Sequence, residues 1–182
     1  MSETGRALIA AIALVSLAGL GLSAMIPLLS LELERMGVSS AMNGLNAAVG
    51  GIANILIAPV TPLLAGRIGV RRMIAGLILI DAAAILLFPL LPDFWAWCLI
   101  RFVFGAALGA MFILSEYWIT ALAPPDRRGL VMGIYASFLA IGFAAGPVVL
   151  ARAGTSGWAP YLVTSALFLA ALAPLALAPK SP

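Results

Sequence analysis

The sequence has no histidine and only one cysteine, Cys98, among its 182 residues. Catalysis by imidazole and metal sites built on histidine are therefore excluded within this chain. A single cysteine cannot form an internal disulfide. We expect no metal and no other cofactor, and nothing in the sequence indicates a nucleic-acid partner.

Charged residues are also scarce. They make up 9% of the chain, while hydrophobic residues make up 64%; soluble domains average about 25% charged and 45–50% apolar. The mean hydropathy is +1.16. The first apolar run is about 24 residues long, which exceeds the 7–15 residues of a signal-peptide core, so we interpret it as a retained membrane helix. Lipid is the predicted solvent of most of the chain.

Six apolar segments are long enough to cross a bilayer, which takes about 20 residues in a helix. They cover approximately residues 7–31, 42–65, 73–91, 94–122, 130–151 and 159–178. Backbone polar groups cannot stay unpaired in lipid, so the sequence predicts an all-α membrane protein with six transmembrane helices. Prolines within these helices are tolerated where neighbouring groups satisfy the freed carbonyls. They are Pro27, Pro59, Pro89 and Pro147.

Basic residues predict the orientation, because Lys and Arg concentrate on the cytoplasmic side of membrane proteins. Seven lie on the side of the N-terminus, namely Arg6, Arg67, Arg71, Arg72, Arg127, Arg128 and Lys180. Only Arg35 and Arg152 lie on the other side. We therefore expect both termini in the cytoplasm.

Three charged residues fall inside predicted helices: Asp81 in the third, and Arg101 and Glu116 in the fourth. A charge at a helix centre costs about 2.5–3.5 kcal/mol on insertion scales, and such residues usually serve a function. Arg101 stays charged and offers five donors, which suits binding an anionic group or organising a proton-carrying carboxylate. The alternative is a structural arginine bonded to backbone carbonyls.

The two carboxylates leave more options open. Asp81 either pairs with Arg101 from the adjacent helix or carries a proton. Glu116 lies about 22 Å along the helix from Arg101 at a rise of about 1.5 Å per residue, so the two cannot touch. Glu116 is either protonatable near the cytoplasmic mouth or paired with one of three basic residues, Arg67, Arg71 or Arg127.

Small residues recur every fourth position in two helices. Gly105 and Gly109 follow Arg101, and Gly142, Gly146 and Pro147 lie in the fifth helix. Such glycines let another helix approach closely, and the proline favours a bend. We expect these residues to serve helix packing and bending.

Asparagines and tryptophans within the predicted helices also have expected roles. Asn54 in the second helix is a candidate for a polar path, whereas hydrogen bonding between helices is preferred for Asn43 and Asn46. Tryptophans near predicted helix ends are expected to anchor the chain at the membrane interface. They are Trp95, Trp97, Trp118 and Trp158.

The link between the second and third helices resembles the loop motif G-x-x-x-D-R-x-G-R-R of the major facilitator superfamily. Arg67, Gly69 and Arg71 match that motif, and Arg72 follows them. In the family this loop helps to latch conformational states, so the resemblance implies a gate role for these four residues. Pro62 and Gly66 stand where the family has glycine and aspartate, so the latch here is expected to be weaker or built differently.

The resemblance extends over all six predicted helices. Arg101, Gly105 and Gly109 match the fourth-helix motif of the superfamily. Gly142, Gly146 and Pro147 match the core of its fifth-helix motif, which is often associated with antiporters. Within the superfamily, residues 101–103 and 115–116 are similar to a bacterial group that includes YcaD. The first helix lacks the carboxylate that many proton-coupled members carry.

This resemblance implies a secondary active transporter that moves a small solute across the bacterial inner membrane by alternating access, with proton coupling left open. The family's working unit has twelve helices, so the chain resembles an N-terminal six-helix half. Its expected partner is the missing C-terminal half or a second copy. The alternative is a non-transport assembly partner or regulator built from a carrier half. Neither the substrate nor the direction of transport follows from the sequence.

Overall fold

The chain folds into a bundle of α-helices, and this computed structural model describes residues 3–177. The helices are α1 (Glu3–Arg35), α2 (Ser40–Ile57), α3 (Thr61–Ile68), α4 (Val70–Leu90), α5 (Phe94–Leu122), α6 (Arg128–Ala153), α7 (Ala159–Ala170) and α8 (Leu172–Leu177). A 3-10 turn at Pro125–Arg127 precedes α6. Six helical segments are long and apolar enough to cross a membrane. The predicted all-α architecture with six membrane helices is therefore confirmed.

The second predicted helix, 42–65, is not continuous. α2 ends at Ile57 and α3 begins at Thr61, so three residues around Pro59 separate them. Proline has no N–H and clashes with the carbonyl of the preceding turn. The hydroxyl of Thr61 donates to the carbonyl of Ile57 at 2.9 Å and satisfies one group that the break exposes. The other three prolines lie within continuous helices.

Two other boundaries differ from the predicted ranges. The first helix extends through Arg35, beyond the predicted end at 31. The sixth segment is divided at Ala171 into α7 and α8. Residue 178, the predicted end of that helix, and Lys180 lie outside the described residues.

Successive membrane spans run in opposite directions, which divides the loops between two ends of the bundle. We call one the basic end, and it holds Arg67, Arg71, Arg72, Arg127 and Arg128. We call the other the opposite end, and it holds Arg35, Asp93 and Arg152. At that end Arg35 donates to Glu32 and to the carbonyl of Thr155, which ties α1 to the loop after α6. That the basic end faces the cytoplasm stays a prediction.

The spans differ in how much of them the bundle buries. In an 18-residue apolar window of each span, 56% of residues are buried in α1 and in α5, against 11% in α2 and 22% in the span that contains α6. α1 packs against α5, α6, α7 and α8, and α5 packs against α2 and α4. The structure thus leaves most of α2 and α6 on the surface.

Glycines bring α5 onto α2 and α6 onto α1. A Cβ at Gly105 would lie 2.3 Å from the carbonyl oxygen of Gly50, and one at Gly142 would lie 2.5 Å from the carbonyl oxygen of Ser16. A Cβ at Gly146 would collide with Ser23 and with the backbone of Ala24. No side chain fits at these positions without moving a helix, as expected for small residues at a helix interface in lipid. α6 continues through Pro147, whose role in bending stays a prediction.

Two tryptophans depart from the predicted interface role. Trp97 and Trp118 are each only 2% exposed, whereas Trp95 and Trp158 are exposed. The indole of Trp97 donates to the carbonyl of Phe88 at 3.0 Å and contacts the Phe88 ring edge-on, with centroids 5.0 Å apart. The prediction was wrong for Trp97 and Trp118, because nearness to a helix end does not reveal which face of the helix is packed.

The glycine contact between α5 and α2 gives a stability test. Gly105→Ala should destabilise the protein by about 1–3 kcal/mol, since an added methyl group must push on backbone atoms rather than on a flexible side chain. The measurement is the melting temperature of purified protein in detergent. Gly133→Ala is the control, because a Cβ at this exposed glycine of α6 meets nothing within 4 Å. Equal melting temperatures for both variants would contradict the packing described here.

Candidate functional site

Arg101 lies on the side of α5 that packs against α2, and its side chain lies beside Gly50 of α2. It is about 11 Å along the helix from Phe94 at a rise of about 1.5 Å per residue, well inside a hydrocarbon layer about 30 Å thick. A Cβ at Gly50 would lie 3.3 Å from Cγ and 3.4 Å from Nε of Arg101. Gly50 therefore provides the space in which the arginine side chain lies. The side chain is half-buried.

The guanidinium of Arg101 makes no hydrogen bond or ion pair with any residue in the range 3–177. One of its nitrogens, Nη1, is fully buried without a partner. A structural arginine in lipid would be expected to donate to backbone carbonyls or to a carboxylate. The structure shows neither arrangement.

Asn54 lies further along α2, beside Gly109 of α5. A Cβ at Gly109 would lie 2.4 Å from Oδ1 of Asn54, so the amide fits only because position 109 has no side chain. Asn54 itself is exposed. The two predicted packing glycines of α5 therefore do two different things: Gly105 receives the backbone of α2, and Gly109 makes room for a polar side chain.

Arg101 and Asn54 line a single pocket of about 190 Å³. Its walls come from α1, α2 and α5, and its other lining residues are apolar or glycine, among them Leu22, Ile26, Ala47 and Phe104. The pocket thus holds one fixed positive charge and one amide on otherwise apolar walls, and ligand sites commonly combine apolar walls with a few polar groups.

Asp81 is not part of this pocket. It is 0% exposed on α4, a helix that packs against α5 and α7. Within the part of the chain that the structure describes, neither of its carboxylate oxygens has a hydrogen-bond partner. Beside it, the hydroxyl of Ser165 on α7 donates to the carbonyl of Ala82 at 3.0 Å. The structure shows no ion pair between Asp81 and Arg101, since both carboxylate oxygens of Asp81 and Nη1 of Arg101 are buried without a partner.

Glu116 lies on the exposed side of α5 towards the basic end. It accepts a hydrogen bond from the hydroxyl of Tyr135 on α6 at 3.0 Å. The alternative of an ion pair with Arg67, Arg71 or Arg127 is not found among the described residues; Arg127 instead contacts Asp126 at 3.5 Å. Glu116 therefore links α5 to α6, two helices that otherwise touch little.

The predicted gate loop lies at the basic end, between α3 and α4. Gly69 has φ of 88°, a left-handed conformation that favours glycine. Arg71 donates to the carbonyl of Ala176 on α8 at 2.9 Å. Arg67 and Arg72 are exposed. Arg71 therefore ties the first turn of α4 to α8, and the latch role that the resemblance implies stays a prediction.

Sequence reasoning did not single out Gly50 or Tyr135. Gly50 belongs to the pair Gly50-Gly51, four residues before Asn54, and that spacing is the signal that identifies the pocket wall. Tyr135 carries no comparable signal, since its partner Glu116 lies on another helix.

Comparisons with known proteins point to the same family that the sequence motifs resemble. A family profile described as Major Facilitator Superfamily matches residues 11–182. A protein named as an uncharacterized MFS-type transporter, YfkF of Bacillus subtilis, is 28% identical over 156 residues, which is 86% of this chain and 40% of YfkF. The multidrug resistance protein MdtG of Enterobacter lignolyticus is 28% identical over 130 residues, 70% of this chain and 31% of MdtG.

The chain spans about a third to two fifths of the length of these relatives. The similarity to a YcaD-like group stays a prediction. The profile covers nearly the whole chain, and the six apolar helices agree with it. The chain belongs to the Major Facilitator Superfamily, a family of membrane transporters rather than enzymes, and is a multi-pass bacterial membrane protein.

Proposed function

We propose that this chain forms one half of a secondary active transporter that moves a small solute across the membrane by alternating access. The observation that supports this most directly is the pocket with Arg101 and Asn54 on the exposed side of α2 and α5. A charge inside the membrane is costly and marks a substrate or ion pathway by default. Carriers of this kind place their substrate sites near the bilayer midplane.

The proposed partner is a second six-helix half, either in the same polypeptide or from a second copy. The weak burial of α2 and α6 supports this. One face of α2 packs on α5 and one face of α6 packs on α1, and most of their remaining surface is exposed within the described chain. Alternating access then takes place by rocking of the two halves around the pocket.

Glu116 is the carboxylate that we assign to proton coupling. It lies on the exposed side of α5, as Arg101 does, whereas Asp81 is enclosed between helices of this half. The hydroxyl of Tyr135 donates a hydrogen bond to Glu116, so this carboxylate connects α5 to α6. Movement of α6 relative to α5 would break this bond.

Access from both sides of the membrane is testable without knowledge of the substrate. In full-length protein that carries Cys98→Ser, Gly51→Cys should react with an impermeant maleimide both in right-side-out and in inside-out vesicles. Gly51 lines the pocket, and a Cβ there meets nothing within 4 Å. Alternating access exposes this position to each side in turn.

Ala53→Cys is the matched control on α2, since Ala53 is 1% exposed and should stay unlabelled from both sides. Labelling of Gly51→Cys from one side only, or from neither, would support the rival reading of a non-transport membrane partner and overturn the proposal.

Asp81→Asn tests whether Asp81 has an ion-pair partner. The substitution keeps the shape and removes the charge of a side chain that has no partner. We expect thermal stability in detergent to stay equal or to rise by up to about 3 kcal/mol, the cost of a charge at a helix centre. A loss of about 3–5 kcal/mol is the result expected from breaking a buried ion pair, and it would contradict the absence of a partner.

A further inference from the structure

Arg101 forms no ion pair with any described acidic side chain. Glu32 is paired with Arg35, Asp126 with Arg127, and Glu116 is bonded to Tyr135. The remaining ones are Asp81 between α4 and its neighbours, Asp93 at the start of α5, and Glu34 at the end of α1. The pocket therefore carries a net charge of one, from the side chain of Arg101.

Arg101 is one of the residues that line the pocket. Arginine side chains in membranes normally reach towards water or carbonyl groups. Here Gly50 removes the Cβ that would obstruct the stem of Arg101, and Nη1 is buried without an acceptor. The guanidinium is thus partly desolvated beside the pocket, and no described residue accepts a hydrogen bond from it.

The remaining pocket residues restrict the chemistry of a ligand. Asn54 offers amide hydrogens, and the walls from Leu22, Ile26 and Phe104 are apolar. A volume of about 190 Å³ equals about six water molecules at their share of about 30 Å³ in the liquid. A compact planar group with an apolar remainder fits this combination.

We propose that the pocket binds the carboxylate of a monoanionic organic solute, with Arg101 as the bidentate donor and Asn54 as a second donor. This rests on the proposed transport function and names the class of solute. The planar guanidinium fork matches the two oxygens of a carboxylate. One positive charge neutralises one negative charge, whereas a doubly charged phosphate would bring an unpaired charge into an environment of low dielectric.

Binding is measured with the full-length protein, purified in detergent, as the rise of the melting temperature with ligand concentration. The probes are matched pairs of a carboxylate and its neutral amide: propionate and propionamide, lactate and lactamide, benzoate and benzamide. We expect a saturable rise with at least one carboxylate and none with its amide. Equal effects of acid and amide, or no effect of any of the three carboxylates, would overturn the proposal.

Variants assign the effect to the pocket. Arg101→Gln should weaken the apparent affinity for the active carboxylate about 10- to 100-fold, as expected for lost hydrogen bonds to a charged group. Arg152→Gln is the control, because it removes an exposed arginine at the end of α6 and should leave the affinity unchanged. Unchanged affinity in Arg101→Gln would also overturn the proposal.

The ligand-free protein gives an independent result. Because Arg101 has no partner, Arg101→Gln should melt at the same temperature as the parent protein or higher. A lower melting temperature would show that Arg101 is a structural bond donor and would overturn the proposal. Should Arg101→Gln fail to express, Arg101→Lys keeps the charge without the fork, and it should still bind the carboxylate about tenfold more weakly.

Failure of this inference is distinguishable from failure of the transport function. The labelling of Gly51→Cys from both sides reports access without any anion. A protein that shows access from both sides but no preference for carboxylates is a transporter of another solute. A protein that binds carboxylates through Arg101 but is labelled from one side is a binding protein of the membrane and not a carrier.

Discussion

The position of Arg101 depends on a contact between two backbones, that of Gly50 in α2 and that of Gly105 in α5. In lipid, helices gain little from hiding apolar side chains from one another, so close van der Waals packing must hold them together. With a side chain at position 105, α2 would stand further from α5. The pocket between the two helices would then widen, and Asn54 would leave the space beside Gly109. The proposed chemistry of the site thus depends on a point of the interface where two backbones meet without a side chain between them.

The seam between α1 and α6 is constructed in the same way. On α5 the first glycine, Gly105, meets a backbone carbonyl of α2, and the second, Gly109, meets the polar side chain of Asn54. On α6 the first glycine, Gly142, meets a backbone carbonyl of α1, and the second, Gly146, meets the hydroxyl of a serine. Both seams therefore place a polar group one turn from the point of closest approach, where a longer side chain would separate the helices.

The sequence was sufficient to predict the features that depend on the length and hydropathy of single segments. Hydropathy identifies six spans because the length of each must match the thickness of the bilayer. It could not separate Pro59, which ends α2, from Pro147, which lies within α6, since the difference arises from neighbouring groups. It also placed Trp97 at an interface where the structure buries it. Arg101 and Asn54 were recognisable as polar residues in lipid, but the wall of their pocket at Gly50 required the packing of α2 on α5.

At each end of the bundle an arginine is bonded to a main-chain oxygen, Arg35 to Thr155 and Arg71 to Ala176. A main-chain acceptor is present whatever residue occupies the position. The two residues of each pair therefore tolerate substitution to different degrees. At position 176 many side chains would preserve the bond, whereas few replacements at position 71 would. Such asymmetry lets the loop after α6 and the surface of α8 diverge in sequence while the helices they fasten stay in register.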